Sequence, residues 1–340
     1  MGGKALKTCP TERKTTDQFY DIAGRLIPKL ESILGTELYI LKFYRTKKDH
    51  GDMDILYKVN ENFISKKLNV REEVEKHLYP KDIIVNDGTV SFEFENFQID
   101  LSPVKEDVWE STKFWMNYDP TSNLCGKLFH RFGLKMGPDS LHYPYRGDSG
   151  QVMENIIITK DFRKMMVFLG LDPERKYQGF DTLEEIYNWI ISSKYYNTEL
   201  FLLDNLTQSD RKRNKKRPTF NKFLEYVKDM PYESEGYHFE KNKTKYLDLI
   251  DQSFPEVHFM EQIERLKKKG VEIRELKEKF NGQLVMSWVC GLKDKELGET
   301  IKKYRDSHTD EWIRNHTSDE VKVNFLSWFW GAGTDKNNKI

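Results

Sequence analysis

The chain has 340 residues, and its 55 Lys and Arg are balanced by 55 Asp and Glu. A net charge of zero excludes a protein that coats nucleic acid by bulk positive charge, while 13% aromatic residues exclude a disordered polymer and leave ample material for a core. Cys9, Cys125 and Cys290 lie too far apart to suggest a disulfide framework or a zinc site. No apolar run approaches the roughly 20 residues of a membrane span, and the start lacks the apolar core of a secretory signal, so the chain reads as cytoplasmic.

Apolar residues from Phe19 to Ile33 recur at helical spacing, and Gly35 stops that helix. Two short β-type runs follow, 37–44 and 53–59, separated by a polar turn, and 70–78 reads as a charged helix. Residues 83–85 and 89–94 flank Asn86-Asp-Gly88, a hairpin signature, and 97–104 is a further strand. The first third is therefore α+β, a mixed or antiparallel sheet of four or five strands with helices. Beyond about residue 105 helical segments dominate: 123–132, 159–170 with Thr159 as N-cap, 182–196 with the capping box Thr182-Leu-Glu-Glu185, 219–229, 259–279 and 295–304. Residues 331–340 read as a frayed tail. Three domains are expected: an α+β domain over 1–105, an extension of it over 106–180 and a mainly helical region over 181–340.

The stretch Asp49-His-Gly-Asp-Met-Asp-Ile-Leu56 is the most informative. Asp52 and Asp54 are two apart at the start of a strand and so leave the same face. Asp100 sits between Ile99 and Leu101 in a second apolar strand, which an adjacent antiparallel pairing would bring beside the first two. Crowded carboxylates repel one another unless a cation compensates, and hard divalent ions bridged by carboxylates clamp the attacking and leaving oxygens of a phosphoryl displacement. The alternative for a bare Asp-x-Asp is turn capping; an Asp inside an apolar strand is costly without a partner.

Gly51-Asp-Met-Asp-Ile-Leu56, with Phe97-Gln-Ile-Asp-Leu101 about 45 residues later, resembles the palm of the DNA polymerase beta-like nucleotidyltransferase superfamily. That resemblance implies Asp52, Asp54 and Asp100 as catalytic ligands of two Mg²⁺ ions, with Mn²⁺ as substitute, and transfer of a nucleotide from a nucleoside triphosphate with release of pyrophosphate. By position it implies nucleotide contacts from Lys42, Arg45, His50 and Gly51. Leu41-Lys42 stands where the family carries Gly-Ser, so the lysine would reach the phosphates by charge; for Lys42 and Arg45 the alternative is a solvated strand end, and for His50 a turn. Tyr118 and Ser122 fall where sugar and base contacts are expected, and 117–171 is loosely similar to the remainder of a family X polymerase. The lyase and helix-hairpin-helix domains of repair polymerases are not expected ahead of the first helix.

Arg211, Lys212, Arg213, Lys215, Lys216 and Arg217 place six basic groups in seven residues, either a polynucleotide contact or a solvated loop. Nearby Tyr195, Tyr196, Phe220, Phe223 and Tyr226 suit stacking on bases or, more naturally, the core. Lys267–Lys269 add a second basic cluster. Residues 280–304, through Gly282, Gly291, Leu292, Leu297 and Gly298, resemble the tail of bacterial CCA-adding and poly(A) polymerases. The expected function is addition of nucleotides to the 3′-hydroxyl of a polynucleotide primer, RNA or tRNA favoured over DNA. The alternatives are a compact family X-type DNA polymerase, nucleotidylation of a protein or small molecule, and a palm degenerated to a binding module.

Overall fold

A computed structural model describes every residue except 1, 2, 4, 231–233, 235–239, 241 and 332–340, so the expected frayed tail lies, beyond Gly331, outside the described residues. The chain is α+β, with a mixed five-stranded sheet and a helical C-terminal region. It forms two compact units, Met1–Pro144 with Asn155–Phe259 and Tyr145–Glu154 with Met260–Ile340. The expected boundaries at 105 and 180 both fall inside the first.

In the first unit, β1 (Lys14–Thr15) leads into α1 (Thr16–Leu34). The Thr15 hydroxyl accepts from the Gln18 N–H while the Gln18 side chain accepts from the Thr15 N–H, and Gly35 closes the helix at φ 60°, where glycine is unstrained. Leu26, Leu30 and Leu34 are fully buried, each worth on the order of 2 kcal/mol by removal from water. Next come β2 (Leu38–Ile40), β3 (Asp49–His50) and β4 (Asp52–Val59), then α2 (Glu61–Ser65) and α3 (Val70–Leu78). The expected hairpin is β5 (Ile83–Asn86) and β6 (Thr89–Phe94), turning through Asp87 and Gly88 at positive φ, and β7 (Phe97–Lys105) follows it.

The sheet order is β2-β4-β7-β6-β5. β7 runs parallel to β4, not antiparallel as expected: 37 intervening residues of helix and hairpin are long enough for a crossover, and β6 returns antiparallel to β7. Alternation then divides the sheet by face. Met53, Ile55, Tyr57, Val90, Phe92, Ile99 and Leu101 pack with α1 and α3 in the main core. Asp52, Asp54, Gln98, Asp100 and Ser91 take the other face, where Leu56 and Val104 pack on Trp109.

The rest of this unit is mainly helical: α4 (Trp109–Met116) and α5 (Thr121–Arg131), then β8 (Lys135–Met136) and the parts outside 145–154 of β9 (Leu141–Arg146) and β10 (Val152–Thr159), three strands of a second sheet. Thr159, expected to cap a helix, ends β10; Asp161 caps α6 (Phe162–Leu169), accepting from the N–H groups of Arg163 and Lys164. α7 (Pro173–Gln178), α8 (Leu183–Ile191), α9 (Gln208–Asn214), α10 (Pro218–Tyr226) and α11 (Leu247–Ser253) complete it. Thr182 caps α8, but Glu185 turns to Arg175 and the Asp181 N–H, so only half of the capping box forms.

In the second unit, most of α12 (Phe259–Lys279) is followed by α13 (Gly282–Trp288), α14 (Asp294–Ser307), α15 (Asp310–Asn315) and α16 (Ser318–Gly331) around Phe280, Val285, Tyr304, Ile313 and Phe325. Gly282 starts α13, and a Cβ there would only touch Leu297 and Ile301 at 3.7 Å; Gly291 turns the chain at φ 100° and Leu292 joins the core. Lys267, Lys268 and Lys269 lie exposed on α12. Among the described residues no helix is long and apolar enough to cross a membrane.

Candidate active-site cleft

Strand register builds the floor of the site. Asp54 stands directly opposite Asp100 on the neighbouring strand, and Asp52 is opposite Gln98, so the three carboxylates share one face within two residue steps. Neighbouring strands lie about 5 Å apart, which leaves adjacent anions little room for independent solvation. Asp54 is exposed to solvent where it lines a cleft, with its carboxyl crowded by two other acids. Its carboxyl is pushed up to about 8, first by desolvation and then by the charges of Asp52 and Asp100. Asp100 is also raised, chiefly by desolvation, although Ser91 and Gln98 offset part of the effect.

The outer two acids have donors. Gln98 Nε2 donates to both oxygens of Asp100 at 3.0 and 2.9 Å, and the Gly3 N–H donates to Asp52 Oδ2 at 3.1 Å. Among the described residues no three His, Cys, Asp or Glu side chains stand close enough to hold a metal ion as they are. In kind the donor set suits a hard divalent ion: three short oxygen ligands on one face, with mutual repulsion that a cation would relieve.

A cleft of about 930 Å³ opens over Asp52 and Asp54, with Gly51 among its lining residues. Arg13, Lys47, Lys48, Lys216, Arg217 and Lys222 outnumber the acids there, Asp49, Asp52, Asp54 and Asp119. Lys47 is pulled down by desolvation, against the upward pull of Asp52, Asp119 and Asp54. A second cavity of about 560 Å³ also reaches Asp54, Asp119 and Arg217, but its walls differ: Leu41, Trp115, Met116, Leu134 and Met136 are apolar, with Lys127, His130, Lys135 and Arg213 among them. The indole N–H of Trp115 is buried without a hydrogen-bond partner among the described residues.

The basic run reaches this cleft because α9 is fastened to α5. Lys127 pairs with Asp210 at 2.8 Å, and Asn123 Nδ2 donates to Oδ1 of the fully buried Asn214 at 2.9 Å. Pro218 then starts α10, whose Thr219 hydroxyl donates to Asp119 at 3.1 Å. The six basic residues consequently separate. Lys216 and Arg217 line the cleft over Asp52; Arg213 and Arg217 line the apolar cavity. Arg211 turns inward and donates to the carbonyls of Leu203, Asp204 and Leu206, while Lys212 and Lys215 are exposed and line neither.

Three expected nucleotide contacts stand elsewhere. Arg45 pairs with Asp181 and donates to the Gln178 carbonyl, and its N–H bonds Phe180 O at 2.9 Å, so it ties the exit of β2 to the loop after α7. Lys42 opens onto a separate pocket of about 200 Å³ with Tyr39, Lys113, Tyr118 and Lys176, whereas Leu41 lines the apolar cavity. His50 is buried between Phe19 and Phe43, ring centroids 4.4 and 4.2 Å away, with its Nε2 3.1 Å from Thr16 Oγ1; desolvation first, then Lys47, lowers its pKa to about 4. Tyr118 is likewise buried, whereas Ser122 lines the apolar cavity and donates to the Trp115 carbonyl. Phe220, Phe223 and Tyr196 are core residues.

Sequence reasoning missed Lys47, Lys48 and Asp119. The lysine pair had a signal, since it sits in the turn that feeds the carboxylate strand; Asp119, in Asn117-Tyr-Asp-Pro120, had none. No protein-family model matches the chain, and no curated protein matches it.

Proposed function

We propose that this chain is a metal-dependent nucleotidyltransferase that adds a nucleoside monophosphate from a triphosphate to the 3′-hydroxyl of a polynucleotide. The observation that carries the reading is the in-register placement of Asp54 against Asp100, with Asp52 on the same face, where Asp52 and Asp54 line a cleft whose walls are rich in Lys and Arg. Asp52, Asp54 and Asp100 are the residues that would hold Mg²⁺, or Mn²⁺ in its place. Such ions, when bound, neutralise the departing pyrophosphate and lower the pKa of the attacking hydroxyl.

The chain's own residues divide the remaining work. Lys47, Lys48 and Lys216 offer positive charge to a polyphosphate beside the acids, the part assigned from sequence to Lys42 and Arg45. On the other side of Asp54, Trp115, Met116, Leu134 and Met136 give a base an apolar surface, and Arg213 and Arg217 meet its backbone phosphates. Both cavities share Asp54 and Arg217, as nucleotide and primer sites must share the reacting centre. RNA is favoured as primer because unstacked ends suit an apolar cavity that holds an indole beside basic groups; the tail likeness at 280–304 points the same way.

The test is a primer-by-nucleotide matrix: tRNA lacking its 3′ end, single-stranded RNA, gapped DNA duplex and a protein acceptor, each with the four NTPs and dNTPs and Mg²⁺. Incorporation into RNA that disappears in Asp54→Asn and Asp100→Asn variants is the expected result. Templated dNTP use on the gapped duplex would make the chain a DNA polymerase, and undiminished transfer by either variant would end the reading.

A further inference from the structure

The backbone N–H groups of Gly3, Ala5, Lys7 and Thr8 meet side chains of the sheet region where the acids lie, and two of them touch the carboxylate face. The Gly3 N–H donates to Asp52 Oδ2 at 3.1 Å. Two residues on, the Ala5 N–H donates to Gln98 Oε1 at 2.9 Å. Gln98 is buried, and with its oxygen held by Ala5 its amide nitrogen is directed at Asp100, to which it donates at 3.0 and 2.9 Å. Farther along, the N–H groups of Lys7 and Thr8 both donate to Asp82, at 2.9 and 2.8 Å, which anchors the segment away from the site. Leu6 is buried between these contacts.

Residue 3 has no room for a side chain. Its φ is +77°, and a Cβ would sit 2.2 Å from the backbone oxygen of Gly51, an atom that cannot move without moving the residue before Asp52. Glycine there is what lets an N–H reach Asp52.

We propose that Gly3 and the Ala5–Gln98 relay are positioning elements for the divalent-cation site, aiming one oxygen of Asp52 and both of Asp100. The inference rests on the reading of these acids as cation ligands. Each carboxylate oxygen accepts along two directions, so an N–H on one direction orients the group and leaves the other open to the cleft. Outer donors of this kind typically change metal affinity 10- to 100-fold. Asp54 has no such donor among the described residues.

The experiment titrates Mn²⁺ into the full-length protein by electron paramagnetic resonance, with no nucleotide present and with folding checked by thermal unfolding. The parent binds and Asp54→Asn does not. Gly3→Ala, which forces the segment off Gly51, and Gln98→Glu, which keeps an acceptor for Ala5 but turns a carboxylate oxygen on Asp100, are expected to bind at least tenfold more weakly while remaining folded. Asp82→Ala, which loosens only the distant anchor, should bind within about threefold of the parent. Parent-like affinity in folded Gly3→Ala and Gln98→Glu overturns the positioning role alone, and tighter binding does so by making the segment a competitor of the cation. A parent that binds no Mn²⁺ overturns this inference together with the nucleotidyltransferase reading.

Discussion

On the floor of the cleft, spacing along two strands decides which charges meet: Asp52 and Asp54 share a face because they are two apart, and pairing sets Asp100 opposite Asp54. On the wall, residues 211–217 are nearly all basic, yet Arg211 spends its guanidinium on carbonyls, Lys212 and Lys215 are exposed, and it is Arg213, Lys216 and Arg217 that line the two cavities at Asp54. Charge density in a sequence therefore says little about which groups reach a ligand, because a helix turns successive residues some 100° apart and its docking decides which of them face inward. A strand has only two faces, so period two is enough once the partner strand is known.

The sharpest way to break the comparison is at the floor. Asp54→Asn should lower nucleotide incorporation by about 10³-fold or more, roughly 4 kcal/mol of lost stabilisation, measured as single-turnover extension. The same variant should change the pH dependence of folding. The Asp54 carboxyl is raised from 3.8 to about 8, so the folded chain keeps a proton that the unfolded chain has released. Without divalent cation, stability must then fall as pH rises from about 4 to about 8; chemical denaturation across that window should show the slope in the parent and its flattening in Asp54→Asn. On the wall, Arg217→Ala should weaken primer binding by about tenfold and reduce the salt slope by about one, checked by fluorescence anisotropy at several KCl concentrations.

Arg211→Ala inverts that pattern. Losing donors to three carbonyls should cost about 1–2 kcal/mol in urea unfolding while primer affinity stays within about twofold, and a large affinity loss would mean the basic run acts as a unit. Smallest of all, Lys212→Ala should change stability by less than about 0.5 kcal/mol and leave affinity within about twofold.

Much of the fold was legible. The Asp-Gly hairpin formed where it was read, α1 ran to Gly35, and the carboxylates fell on two strands of a five-stranded sheet. The structure departs from the local pattern where a long-range partner overrides it. Thr159 was drawn into β10 although it resembled a cap, and Phe19 and Phe43 enclosed His50 although it adjoins Gly51. Arg45 found Asp181, 136 residues away, which no local spacing announces.

By itself the sequence determined the identity of the acids and the face two of them share, because alternation along a strand is a covalent property of the chain. Only the tertiary structure decided that β7 lies parallel to β4, that the Gly3 N–H meets Asp52, and that Lys47, Lys216 and Arg217, not Lys42 and Arg45, look onto the acids. Those outcomes depend on crossovers, helix docking and pairings between residues tens to more than a hundred positions apart, whose energies exist only once the chain has closed on itself.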